Sequence, residues 1–137
     1  MPSSNATWFT HPVVATIVGV LAAGLTVLLV ESAGHAMFGT GDLASRGGIT
    51  TTQYIAVYIA WILGAGVGAL VATRWARTSS VLPGVIVALC ILAGAVANIM
   101  AMPHPLWLII ASASLPLVGL VVARSVRGGR PHAGAPA

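Results

Sequence analysis

IAVYIAWILGAGVGALVAT, residues Ile55–Thr73, is a run of nineteen residues without a single charge. At 1.5 Å per residue, a helix of this length covers about 28 Å, close to the ~30 Å hydrocarbon thickness of a bilayer. The run lacks the alternation of polar and apolar residues that a membrane strand needs, and it is about twice as long as one. It reads as a transmembrane helix. Three further runs share its character: Val13–Val30, Val81–Met102 and Leu106–Ala123, none with a charged residue in its interior. Helices are therefore predicted at about 13–34, 53–75, 81–102 and 105–125, forming one domain over residues 1–127. The expected fold is all-α, a polytopic four-helix membrane bundle. The Gly- and Pro-rich tail, 128–137, is expected to be disordered.

Composition agrees with that reading. Of the 137 residues, 58% are hydrophobic and only 6% are charged. A water-soluble domain carries roughly 25% charge, so this chain could not clothe a wet surface. The six basic residues are all Arg and sit beside the apolar runs, which suits anchoring at a membrane surface. They form no face on which a duplex could lie, so nucleic acid is not an expected partner. Cys90, the one cysteine, lies within an apolar run and cannot form an intramolecular disulfide.

The breaks between runs set the topology. Residues 31–53 hold five glycines and both acids, Glu31 and Asp42. A short polar turn follows Arg74, and Pro83 falls in the first turn of the third helix, where its missing N–H costs little. Pro103-His104-Pro105 is a tight break, because a residue preceding proline is pushed out of the helical region. An even number of spans puts both termini on one side. Arg74, Arg77, Arg124, Arg127 and Arg130 accompany them, against Arg46 alone on the other. The positive-inside rule then places both termini in the cytoplasm, making the chain a multi-pass protein of the inner (plasma) membrane. Trp8 and Trp75 would mark the inner interface, Tyr54 and Trp107 the outer one.

Small residues at Ala60, Gly64 and Gly68 recur at four-residue spacing. Such a row lets helix backbones approach closely, which matters where lipid supplies no hydrophobic drive for association. It fits packing within the bundle or, alternatively, the seam of a homodimer.

With this topology, Glu31, His35, Asn98 and His104 gather in the outer half or just above it, with Asp42 nearby in sequence. Glu31 and His35 project from one face if the first helix continues past Glu31. Ionisable residues at membrane depth are costly and usually face the bundle or water, where they often mark function. Two readings are open. The four residues could form a proton or ion site, since histidine titrates near neutrality. Alternatively Glu31, His35 and His104 could hold a transition metal, as two imidazoles and a carboxylate suit zinc or non-haem iron. Met100 and Met102 would add soft ligands for copper. A structural reading competes at each position: a wet carboxylate, helix-end histidines and an interhelical asparagine. No nucleophile elbow, phosphate loop or dinucleotide fingerprint is present, so a catalytic role is not expected.

Two motifs, Val30-Glu31-Ser32-Ala33-Gly34-His35 and Met102-Pro103-His104-Pro105-Leu106-Trp107, resemble those of a group of small bacterial four-helix integral membrane proteins. The Gly/Ala-rich second helix ending in Val-Ala-Thr-Arg is similar to theirs too, and the likeness runs from Val13 to Arg127. The resemblance implies the fold and topology and carries no activity. Function is expected to be that of a small transporter, channel or accessory subunit, the alternative being a metal-binding membrane protein with an enzymatic or sensing role.

Overall fold

The computed structural model describes residues 10–39, 48–76 and 80–128. The readings made above on Trp8, Asp42, Arg46, Arg77, Arg130 and the tail beyond Gly128 lie outside the described residues. Five helices follow in order: α1 (Pro12–Phe38), α2 (Thr51–Trp75), α3 (Leu82–Ala101), α4 (Leu106–Ser112) and α5 (Leu115–Gly128). α4 and α5 form one broken span, so four helical segments are long and apolar enough to cross a membrane. α2 is the centre, packing against α1, α3 and α5.

α1 begins at Pro12, whose lack of an N–H is harmless at a first helical position. His11 is exposed and caps this end, its Nδ1 accepting from the Val13 N–H at 3.3 Å. At the other end α1 runs beyond its apolar stretch to Phe38 and stops at Gly39, whose φ of 78° suits glycine. Gln53 holds this end down. Its side-chain N–H groups donate to the Phe38 and Gly39 carbonyls at 3.2 and 2.8 Å. Its oxygen accepts from the Thr50 backbone N–H at 2.7 Å, while Thr50 Oγ1 accepts from the Gln53 N–H, a complete capping box. One buried amide thus finishes α1 and starts α2. Gln53→Leu should cost about 1–3 kcal/mol, the range for stranding buried hydrogen-bonding groups, read as a lower unfolding midpoint in detergent.

The fourth span does not run through as the hydropathy pattern suggests. Pro116 lacks an N–H and its ring collides with the carbonyl four residues back, that of Ser112. The chain answers with a turn at Ala113–Ser114, and α5 starts at Leu115. Several polar groups beside the break find partners. Tyr58 on α2 donates to the Ala111 carbonyl at 3.3 Å and lies 2.9 Å from Ser114 Oγ, and Ser112 Oγ donates to the Ile109 carbonyl at 2.7 Å. Irregular backbone needs such compensation wherever water is excluded.

Small residues fill the interior. Ala23, Ala60, Ala65, Ala69, Ala72, Ala88 and Ala95 are buried, whereas Leu21, Leu25, Leu28, Leu29, Leu117 and Val121 are exposed. Trp61, Leu108 and Leu115 are the large exceptions inside. The row on α2 faces α1 of the same chain. A Cβ added at Gly68 would lie 2.6 Å from both Ala23 Cβ and the Gly19 carbonyl oxygen, and one at Gly64 would lie 3.1 Å from the Ala23 oxygen. With Ala60 also fully buried, this row is occupied inside the bundle.

Candidate functional site

α1 continues as a helix through Glu31 and His35, so these residues stand one turn apart on one face, within electrostatic reach of each other. Glu31 is half-buried and His35 exposed. Across from them α2 presents Trp61, only 3% exposed, with its indole N–H within hydrogen-bonding reach of the Glu31 carboxylate. Among the described residues Glu31 is the one acid. The described arginines Arg74, Arg124 and Arg127 lie near the far ends of α2 and α5.

His104 sits in the tight turn between α3 and α4. Its Nδ1 is 2.7 Å from the Met102 carbonyl oxygen. A carbonyl can only accept, so Nδ1 carries a proton and donates it to the Met102 carbonyl. The ring packs against Tyr54, with centroids 5.4 Å apart, and against Trp61 at 6.5 Å. Tyr54 ties the turn to α2 by donating its hydroxyl hydrogen to the Pro103 carbonyl at 2.9 Å. Asn98 lies one turn before the end of α3. Among the described residues, its side-chain amide has no hydrogen-bond partner.

These groups border two cavities. The first, of ≈ 220 Å³ at the His104 end of the bundle, is lined by His35, Gln53, Tyr54, Asn98, Met102 and His104. The second is a groove of ≈ 320 Å³ running between α1 and α3, lined by Glu31, Trp61, Cys90 and Asn98 among apolar residues. Asn98 borders both, so the cavities adjoin at its amide. His35, Asn98 and His104 share the first cavity, and Glu31 and Asn98 share the second. Trp61 touches both Glu31 and His104. Among the described residues no three His, Cys, Asp or Glu side chains come close enough to hold one metal ion. Glu31, His35 and His104 are not gathered into such a group; His104 faces its own Met102 carbonyl and lies tilted beside Tyr54 and Trp61.

A larger cavity of ≈ 440 Å³ lies at the opposite end, between the starts of α1 and α3. It has no titratable side chain, and its hydroxyls serve their own segments: Thr16 donates to the Pro12 carbonyl and Ser80 accepts from the Leu82 N–H. It offers no chemistry.

The chain matches no family model, no characterised protein and no solved structure. Functional inference therefore rests on the two cavities. Neither Cys90 nor Trp61 was among the site residues expected from the sequence. Their signal was periodic: Cys90, Gly94 and Asn98 recur every fourth residue and so line one face of α3.

Proposed function

We propose that this chain is a multi-pass protein of the bacterial inner membrane, with both termini cytoplasmic, that binds a proton or small cation at Glu31. The ion arrives from the outer face through the cavity lined by His35, Asn98 and His104. The observation that carries this reading is a half-buried carboxylate just past the apolar run of α1, one turn from His35, bordering a cavity that shares Asn98 with the outer one. Ionisable groups at such depth are expensive to keep and mark ion or substrate pathways. Membrane insertion is supported by the inverted packing, alanine and glycine within and leucine without, which in water would expose the wrong side chains. Orientation is supported by Arg74, Arg124 and Arg127 at the end where α2 and α5 finish. A reporter active only outside the cell should stay silent when fused after Arg127.

Protein reconstituted in liposomes tests the ion site. Wild-type protein should carry a proton or sodium flux down an imposed gradient, and Glu31→Gln should return it to the level of protein-free vesicles. Equal flux in both proteins removes Glu31 from the mechanism. Absence of any wild-type flux replaces transport with an accessory role.

A further inference from the structure

The groove beside Glu31 has a chemistry that a bare proton or inorganic ion does not use. α1 and α3 approach closely at Gly19 and Val87, then part toward the Glu31 end. Between them the groove is apolar along its length and polar where Glu31 and Asn98 border it. Gly24 and Gly94 line its walls, and a Cβ at either would meet nothing within 4 Å. Gly19, Gly64, Gly68, Gly84 and Gly119 each allow a close helix contact; Gly24 and Gly94 allow none within the chain. They widen a space that the chain itself leaves open on the lipid-facing side, where Leu28 and Cys90 are exposed.

The lining defines the occupant. A carboxylate among apolar walls calls for a positive charge; the described arginines stand near the opposite ends of their helices, and His35, one turn along α1 from Glu31, lines the other cavity and not this groove. The Asn98 amide oxygen, unpartnered among the described residues, accepts from an N–H. The apolar walls call for hydrocarbon. A volume of ≈ 320 Å³ is at the lower end of the ~300–1,000 Å³ range of ligand pockets, enough for a headgroup and the first part of a chain. A hydrated inorganic cation would leave the walls unused, and a neutral alkyl chain would leave Glu31 unpaired.

We propose that the α1–α3 groove is a lateral binding site for an amphiphile with a primary ammonium head, its nitrogen between Glu31 and Asn98 and its apolar body over Gly24 and Gly94. The ammonium belongs either to an ethanolamine phospholipid of the bilayer or to a free lipophilic amine. The site shares Glu31 with the ion reading above and rests on that carboxylate being functional.

Cys90 supplies the readout, since it lines the groove, is exposed and is the only thiol of the chain. Full-length protein in phosphatidylcholine vesicles is treated with methyl methanethiosulfonate, and the rate of Cys90 modification is followed by mass spectrometry. n-Decylamine at about four times its Kd should slow the reaction about fivefold by simple occupancy, whereas n-decanol and decyl sulfate should change it by less than about twofold. In Glu31→Gln the rate without amine should be unchanged and the protection by decylamine lost. Gly94→Leu, which fills the groove where a side chain has room, should lose the protection too, and circular dichroism checks that its helices are intact. Decanol protecting as well as decylamine, protection surviving in Glu31→Gln, or no protection in wild type each overturns the proposal. Vesicles containing phosphatidylethanolamine identify the source. Slower wild-type modification there, absent in Glu31→Gln, assigns the ammonium to the lipid, and equal rates assign it to a free amine. No gradient enters this assay. Flux that depends on Glu31 without protection therefore sinks the ammonium site and leaves the ion reading, and protection without flux does the reverse.

Discussion

Gly68→Ala should break the α1–α2 packing, while Gly24→Ala should leave the bundle as stable as before or slightly firmer. The two substitutions add the same methyl group to a helical glycine. At Gly68 the new carbon would lie 2.6 Å from Ala23 Cβ, from the Gly19 carbonyl oxygen and from Val87 Cγ1. One of these atoms belongs to backbone and another to a side chain with no further torsion to turn, so the helices themselves must separate. Overpacking of this kind costs about 1–3 kcal/mol, and a contact involving backbone belongs at the upper end. Opening the seam would also forfeit dispersion contacts, the main attraction between helices in lipid. At Gly24 the added carbon meets nothing within 4 Å, and alanine is favoured over glycine in a helix by about 0.5–1 kcal/mol. Unfolding by a denaturing detergent titrated into mixed micelles reads the difference, with the Gly68 variant losing about 3 kcal/mol and the Gly24 variant losing none. Equal midpoints would mean that α1 and α2 do not meet as closely as described.

The same contrast explains how much of the fold was legible. Long uncharged runs announce helices because hydrocarbon tolerates no unpaired backbone, and the four helical segments long and apolar enough to cross a membrane fall where those runs lie. Hydropathy, however, counts side chains and does not see the backbone. It missed the break at Ala113–Ser114, although Pro116 was in plain view, and it stopped α1 near residue 34, although Gln53 carries the helix on to Phe38. The row Ala60, Gly64, Gly68 said that something comes close. It could not say whether the neighbour belongs to the same chain, because a small residue records proximity and not identity.

The site was legible in part, for a related reason. Four-residue spacing placed Glu31 and His35 on one helical face, and the tight proline turn placed His104 near the end of α3. Spacing along a helix does not report what each polar atom is bonded to. His104 points its Nδ1 at the Met102 carbonyl, and Glu31 faces Trp61, so residues adjacent in topology are divided between two cavities. Asn98 is the joint between them. Its importance follows from what it lacks, a hydrogen-bond partner among the described residues, and only coordinates can show that.

Trp61 is the side chain on which both cavities lean, and two substitutions there separate its roles. It is 3% exposed, packs in the core with Ala65, Leu108 and Leu115, lies tilted beside His104 with ring centroids 6.5 Å apart, and has its N–H within reach of Glu31. Trp61→Ala removes all of this and should cost about 3–5 kcal/mol, the range for emptying a buried aromatic position. Trp61→Phe keeps most of the ring and removes the donor. Its cost should be about 1–3 kcal/mol if the carboxylate loses a hydrogen bond that water does not replace. The decisive comparison is a cycle with Glu31→Leu, which removes the acceptor without leaving a polar group behind. In that background Trp61→Phe should become nearly neutral, leaving a coupling of about 1–3 kcal/mol between the two positions. Additive costs would show that the indole serves packing alone. Glu31 would then lack the one donor that holds it, and both the ion site and the ammonium site would have to be built on a carboxylate free to turn away.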